Sequence, residues 1–232
     1  KRLSLDPDQE FHNFAHNWYV LGLVIEKAGA LIKQNNPDIY RQFKSRLFQE
    51  NERGEVRLKT GATKADFETG LEEKIFSGLK ILCVGGIEGR LLADFGATVV
   101  NIDPLVDKAP SKIKREDLTE IPNSIFSEQA EEIIARIGPF DITFSCWLFD
   151  RGSGLNPFST WLGSPVSKAE AKTYQRNLNW ILGKTKKGGS SIHNGNMMKS
   201  AVNQSDRYEV YEPYGSSNID IDRSTNTWVI SV

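Results

Sequence analysis

Cysteine is scarce in this chain: Cys83 and Cys146 are the only two in 232 residues, too few for a disulfide framework. Both fall in apolar runs that read as interior strands, the setting of reduced, buried thiols in a cytosolic protein. A charge bias is lacking as well. The 29 basic and 30 acidic residues leave a net charge of −1, and no basic run is interleaved with aromatics, so the electrostatic footprint of a nucleic-acid binder is missing. Long apolar runs are also missing: none reaches the roughly 18 residues that span a bilayer. The basic start Lys1-Arg2 is not followed by the apolar core of a signal segment. These absences predict a cytoplasmic protein with neither a nucleic-acid nor a membrane partner. A hydrophobic content of 39 % suffices for one α/β domain with a helical addition.

What the chain does have is Lys80-Ile-Leu-Cys-Val-Gly-Gly-Ile-Glu-Gly89, followed by Thr98-Val-Val-Asn-Ile-Asp103. Residues 81–84 suit a strand buried on both faces, Gly85 and Gly86 allow a tight turn with close backbone approach, and residues 89–95 suit a short helix. A nucleotide-type ligand across that turn would find the Asp103 carboxylate placed for ribose hydroxyls. The spacing Gly85-Gly86-x-x-Gly89 departs from the dinucleotide pattern GxGxxG, and the helix is about a turn shorter than usual for it. A purely structural strand-to-helix corner is the alternative.

The alternation continues downstream. Residues 113–118 read as a third strand, and residues 123–137 as a helix stopped by Gly138-Pro139. Residues 140–148 read as a fourth strand. Ser167 can cap a helix running to Lys186, which Lys186-Lys187-Gly188-Gly189 ends, and Ser190-Ser-Ile-His-Asn194 reads as the fifth strand. This pattern predicts an α/β, doubly wound, mostly parallel Rossmann-like sheet.

Ahead of it, Asp6-Pro7-Asp8-Gln9 is a helix-start signature. The helix it opens carries apolar residues at spacings of three and four as far as Ile32. A second helix is expected over residues 38–50, a polar break over 49–54 and a third helical stretch over 64–76. The domain reading is an N-terminal helical cap or lid over residues 1–77 and a core over 78–232. His12 and His16 stand one turn apart, a spacing able to hold a metal, but no third ligand is evident and none is expected. As lid residues, either can act as a general base, and Tyr19 adds a phenol, so His12, His16 and Tyr19 are the candidate catalytic groups. Polar surface or a merely stabilising helical pack is the alternative.

From residue 78 on, the chain resembles the class I S-adenosylmethionine-dependent methyltransferases. The likeness rests on residues 81–89 for the cofactor loop, Asn101-Ile-Asp103 for the ribose acid, Phe140-Asp-Ile-Thr-Phe-Ser145 for the fourth strand, and residues 182–194 for a lysine-glycine-glycine element followed by a strand. Arg207-Tyr-Glu-Val-Tyr-Glu212 and Thr227-Trp-Val-Ile-Ser-Val232 match the closing antiparallel hairpin of that family. The resemblance implies S-adenosylmethionine as cofactor, held by Gly85, Gly86, Ile87, Gly89, Asp103, Asp117, Leu118 and Ser145. It implies a small-molecule or peptide acceptor against Trp147, Asp150 and Arg151. The Asn/Asp-Pro-Pro-aromatic tetrapeptide of nucleobase amino-methyltransferases is absent after the fourth strand, which argues against a nucleobase amine. Two positions depart from the family: Cys83 stands where an acid is usual, and Ile87 where a second glycine is. Three other readings stay open. Residues 89–103 are also similar to a segment of family III coenzyme A transferases, without a matching acidic nucleophile downstream. A nicotinamide-dependent enzyme and a catalytically inert, methyltransferase-like interaction module complete the set.

Overall fold

The computed structural model describes residues 18–32, 37–38, 41–42, 45, 48–50, 56–58, 74–86, 89–103, 106, 116–122, 125–146, 148, 168–194, 219–222 and 227–232. Helix α1 spans Trp18–Ile32, and a small antiparallel pair follows, β1 (Phe48–Glu50) with β2 (Val56–Leu58). The main run is β3 (Lys80–Val84), α2 (Gly89–Asp94), β4 (Thr98–Ile102), β5 (Leu118–Ile121), α3 (Glu128–Ile137), β6 (Phe140–Ser145), α4 (Lys168–Leu182), β7 (Thr185–Asn194), β8 (Ile219–Asp222) and β9 (Thr227–Ser231).

Seven strands form one sheet in the order β5-β4-β3-β6-β7-β9-β8. The pairs β3/β4, β3/β6, β4/β5 and β6/β7 are parallel, whereas β9 runs antiparallel to both β7 and β8. The α/β, doubly wound, mostly parallel Rossmann-like sheet with its C-terminal antiparallel hairpin is therefore the fold of this chain. The order reverses beside β3, because β4 lies to one side of it and β6 to the other, which places a crevice at the carboxyl ends of β3 and β6.

Side-chain alternation along the strands sorts the core into two layers. On one face Ile81, Cys83, Val99, Phe144 and Ile192 pack with Val24, Ile25 and Ala28 of α1, Leu92 and Ala93 of α2, and Phe76 with Phe95. The two phenylalanine rings meet edge to face at 5.3 Å. On the other face Leu82, Val84, Val100, Ile102, Trp228 and Ile230 pack with Ala130 and Ile134 of α3 and with Tyr174, Leu178 and Ile181 of α4. Val24 and Ile25 are fully buried. At about 1.5–3 kcal/mol for burying each such side chain, they hold α1 on the sheet as one of its layers.

Several boundaries differ from the sequence expectation. The third strand lies later than residues 113–118, at Leu118–Ile121, with Glu116 and Asp117 in the turn before it. Helix α3 starts at Glu128 rather than at residue 123, because Ser127 caps it by accepting from the Ala130 N–H at 3.2 Å. Helix α4 ends at Leu182, so Lys186-Lys187-Gly188-Gly189 belongs to β7. There the register shifts between Phe140 and Ile142 of the neighbouring strand, and Gly188 takes φ +80°. The expected helix over 38–50 gives way at Phe48–Glu50 to strand β1, so the expected break over 49–54 begins within a strand, and its residues 51–54 lie outside the described residues. The strand that pairs with Thr227–Ser231 in the closing hairpin is Ile219–Asp222, while residues 207–212 lie outside the described residues.

Candidate functional site

Three strand ends meet at the crevice. After β3 the chain turns through Gly85 at φ +76° and Gly86 at φ +122°, a left-handed conformation that favours glycine. The Gly85 N–H donates to the Ile102 carbonyl at 2.9 Å, and the Gly86 N–H donates to a carboxylate oxygen of Asp103, the residue just past β4. From the other side the Cys146 N–H donates to the Val84 carbonyl at 3.1 Å. A Cβ built on Gly85 would stand 2.5 Å from the Cys146 carbonyl oxygen, so the turn is pressed against the end of β6. Asp103 is 6 % exposed, and its own N–H donates to the Ile121 carbonyl, which ties in β5.

Gly89 has a different role. A Cβ there would lie 2.9 Å from Val99 Cγ1 and 3.2 Å from both Asn101 Oδ1 and Cys83 Cβ, so this glycine lets α2 sit directly on the sheet. Arg90 in the same helix pairs with Glu120 of β5 at 2.7 Å, with both side chains mostly buried. Cys83, at the place where the resembled family carries an acid, is a fully buried thiol in the apolar layer under α2. Asn101 is fully buried beside it, and neither its amide nitrogen nor its carbonyl oxygen has a hydrogen-bond partner among the described residues.

Behind the crevice, a polar seam crosses the otherwise apolar layer between β6 and β7. Ser145 Oγ is 2.8 Å from His193 Nδ1, His193 Nε2 is 2.7 Å from Ser191 Oγ, and Ser191 Oγ is 2.6 Å from Thr143 Oγ1. Thr143 continues to Thr185 at 2.8 Å, and Thr185 donates to the Ile181 carbonyl in the last turn of α4 at 3.2 Å. His193 is fully buried, and burial pushes its imidazole down to about 3, so the ring is neutral.

The structure thus brings Gly85, Gly86, Asp103 and the end of β6 together. It does not bring Asp117 and Leu118 to them. Asp117 gives its carbonyl to the Val99 N–H, and Leu118 is paired with Val99 near the start of β4, so both lie at the amino end of the sheet, opposite the crevice. The late start of β5 is the cause: the pair precedes the strand instead of following it. Ser145 ends β6, but its hydroxyl is fully buried and turned to His193. Tyr19 lies in the first turn of α1, and its side chain is outside the described residues, as are Ile87, His12, His16, Trp147, Asp150 and Arg151. Sequence reading missed the seam. Its signal was there, because Thr143, Ser145, Ser191 and His193 are polar at alternate positions of two interior strands, and such a pattern points them to one buried face.

No protein-family model matches the sequence, and no curated protein does. Among solved structures, the chain overlaps MycE methyltransferase from the mycinamycin biosynthetic pathway, in complex with Mg and SAH, at TM-score 0.41 and 15 % identity, covering 71 % of this chain and 44 % of that one. A putative SAM-dependent methyltransferase from Streptococcus mutans overlaps at TM-score 0.39 and 13 % identity over 78 % of this chain and 54 % of that one. A methyltransferase homolog from Pyrococcus horikoshii does so at 0.32 and 11 %, over 68 % and 60 %. The chain therefore spans about half the length of these structures. Overlap at this level says nothing further about activity, which has to be argued from the residues of this chain.

Proposed function

We propose that this chain binds S-adenosylmethionine across the Gly85–Gly86 turn and directs methyl transfer to a small-molecule or peptide acceptor. The observation that carries the reading is the Asp103 carboxylate, which lies at the switch point of the sheet and is joined to the Gly86 N–H. A glycine turn and an acid are thus set on adjacent strand ends. The donor set suits a nucleoside: Asp103 can accept from ribose hydroxyls, and Gly86 has no side chain to keep a ligand from its backbone. When bound, the cofactor supplies an electrophilic methyl on a sulfonium. In-line displacement then asks the protein mainly to hold and align the acceptor and to exclude water. Tyr19, His12 and His16 are proposed for orienting and deprotonating that acceptor. Ile87, Trp147, Asp150 and Arg151 are proposed to complete the cofactor and acceptor walls, and no metal is assigned.

A second reading has its own observation. Cys83 replaces the expected acid with a buried thiol, and Gly85 is required by the chain's own packing on Cys146, so the turn can persist as a corner in a binding module without catalysis. Calorimetry with S-adenosylhomocysteine, NAD and coenzyme A separates these. The expected result is saturable binding of S-adenosylhomocysteine alone. Heat with none of the three in folded protein would leave the inert module standing, and NAD or coenzyme A binding in its place would redirect the assignment.

A further inference from the structure

The hydroxyls in the seam between β6 and β7 each have one proton, and that fixes the direction of the whole chain of hydrogen bonds. Thr185 spends its proton on the Ile181 carbonyl, so Thr143 must donate to Thr185. Ser191 must then donate to Thr143, and the remaining contact of Ser191 requires a proton on His193 Nε2. A neutral imidazole protonated at Nε2 has a bare Nδ1, which accepts the Ser145 hydroxyl proton. The chain runs one way, from Ser145 through His193 to the end of α4.

Its upper end touches the glycine turn. Ser145 is paired with Val84 across β3 and β6, and the next residue, Cys146, donates to the Val84 carbonyl while its own carbonyl overhangs Gly85. We propose that His193 is a positioning residue for the ligand turn: as the Nε2–H tautomer it holds Ser145, and through Ser145 the height of the Cys146 carbonyl over Gly85. It does so without touching a ligand. The neutral state agrees with its full burial, and the anchor is the Ile181 carbonyl in the last turn of α4, which accepts from the Lys184 N–H at 3.0 Å as well as from Thr185. The functional meaning rests on the cofactor reading given above, but the direction of the chain does not.

The test uses long-range proton–nitrogen correlation spectra of the full chain, together with calorimetry with S-adenosylhomocysteine. In the parent, His193 should be a single Nε2–H tautomer at neutral pH. Thr185→Val removes the acceptor that sets the direction, and it should give a mixed or inverted tautomer, move the Gly85 and Gly86 amide resonances, and weaken S-adenosylhomocysteine by about three- to tenfold. Thr185→Ser keeps the hydroxyl and should restore all three. If Thr185→Val does not fold, Ser145→Ala cuts the chain at the turn end and should move the same glycine amides while His193 stays Nε2–H. A parent protonated at Nδ1 overturns the proposal, as does a folded Thr185→Val that keeps the parent tautomer. A tautomer change, or Ser145→Ala, with unmoved glycine amides reduces the seam to strand pinning and likewise overturns it. Absence of S-adenosylhomocysteine binding by the parent would defeat the cofactor reading, while the tautomer and glycine amides still decide the role of His193.

Discussion

At the scale of single residues, Asp103 and Gly85 each have a place in the turn and a proposed place at the ligand, and mutation can separate the two. Asp103 accepts from the Gly86 N–H, so Asp103→Ala removes a turn staple along with the proposed ribose acceptor. Leaving that donor without its partner should lower stability by about 1–3 kcal/mol, read from urea unfolding. Asp103→Asn keeps an acceptor of the same shape and should fold like the parent, yet weaken S-adenosylhomocysteine by about tenfold or more in calorimetry, because a charge-assisted bond to ribose is lost. Equal affinity in the folded Asn variant would take Asp103 out of the site. Gly85→Ala combines a left-handed backbone with a Cβ 2.5 Å from a backbone oxygen. Strain at such a position costs about 1–3 kcal/mol, so the urea midpoint should fall even without ligand. That these residues meet at one strand-end turn was legible in sequence, because a glycine pair after one apolar run and an acid at the end of the next fall on adjacent strand ends of a parallel sheet. The place of Asp117 and Leu118 was not, because their assignment depended on where one short strand begins.

Among the elements, helices α3 and α4 are joined by side chains that a sequence pattern does not pair. Glu131 of α3 accepts from Trp180 Nε1 and pairs with Lys184 Nζ at 2.6 Å. Lys184 also lies over the Trp180 ring at 5.2 Å, and Arg176 over Phe126 at 4.4 Å. The hydrogen bond from Lys184, then that from Trp180, holds the Glu131 carboxyl below its ordinary value of 4.5. A carboxyl lowered on folding stabilises above its unfolded value and loses that contribution as pH falls through the folded one. Glu131→Gln should therefore flatten the part of the stability profile below about pH 4.5, measured by thermal unfolding across pH, and by little, because the pair is partly exposed. Ser127→Ala removes the cap of α3 and should cost about 1 kcal/mol in the same assay. The existence of these helices was readable from apolar spacing, and α3 stops at Gly138-Pro139 as expected. Their ends were harder: a cap at Ser127 and a strand bulge at Gly188 decide them through contacts that periodicity does not contain. The β1/β2 pair was missed for a similar reason, since three-residue strands carry too short a pattern to outweigh a helical one.

For the whole molecule, the alternation of strand and helix was enough to give the doubly wound sheet, because parallel neighbours need crossover helices and both faces must be covered. The polar seam was not anticipated, yet through His193 it contributes to how acid acts on the fold. His193 falls to about 3 on burial from an ordinary 6.5. Between those values the unfolded chain binds a proton that the folded chain refuses, so stability is full above pH 6.5 and declines as pH falls toward 3. The slope should approach about 1.4 kcal/mol per pH unit, seen as a urea midpoint that drops from pH 6 to pH 4. His193→Phe, if it folds, should lose that slope, and a slope unchanged in the variant would show that His193 is not the group responsible. The central strand β3 has another consequence. Its residues Ile81 to Val84 are 0–1 % exposed and hydrogen-bonded to β4 on one side and β6 on the other. Partial opening of either half of the sheet leaves one of those neighbours in place. Successive amides of a strand point to opposite sides, so the Leu82 N–H faces β6 and the Cys83 N–H faces β4. Deuterium should then enter Leu82 when the β6 half opens and Cys83 when the β4 half does, making the pair of exchange rates a readout of which half of the central sheet parts first.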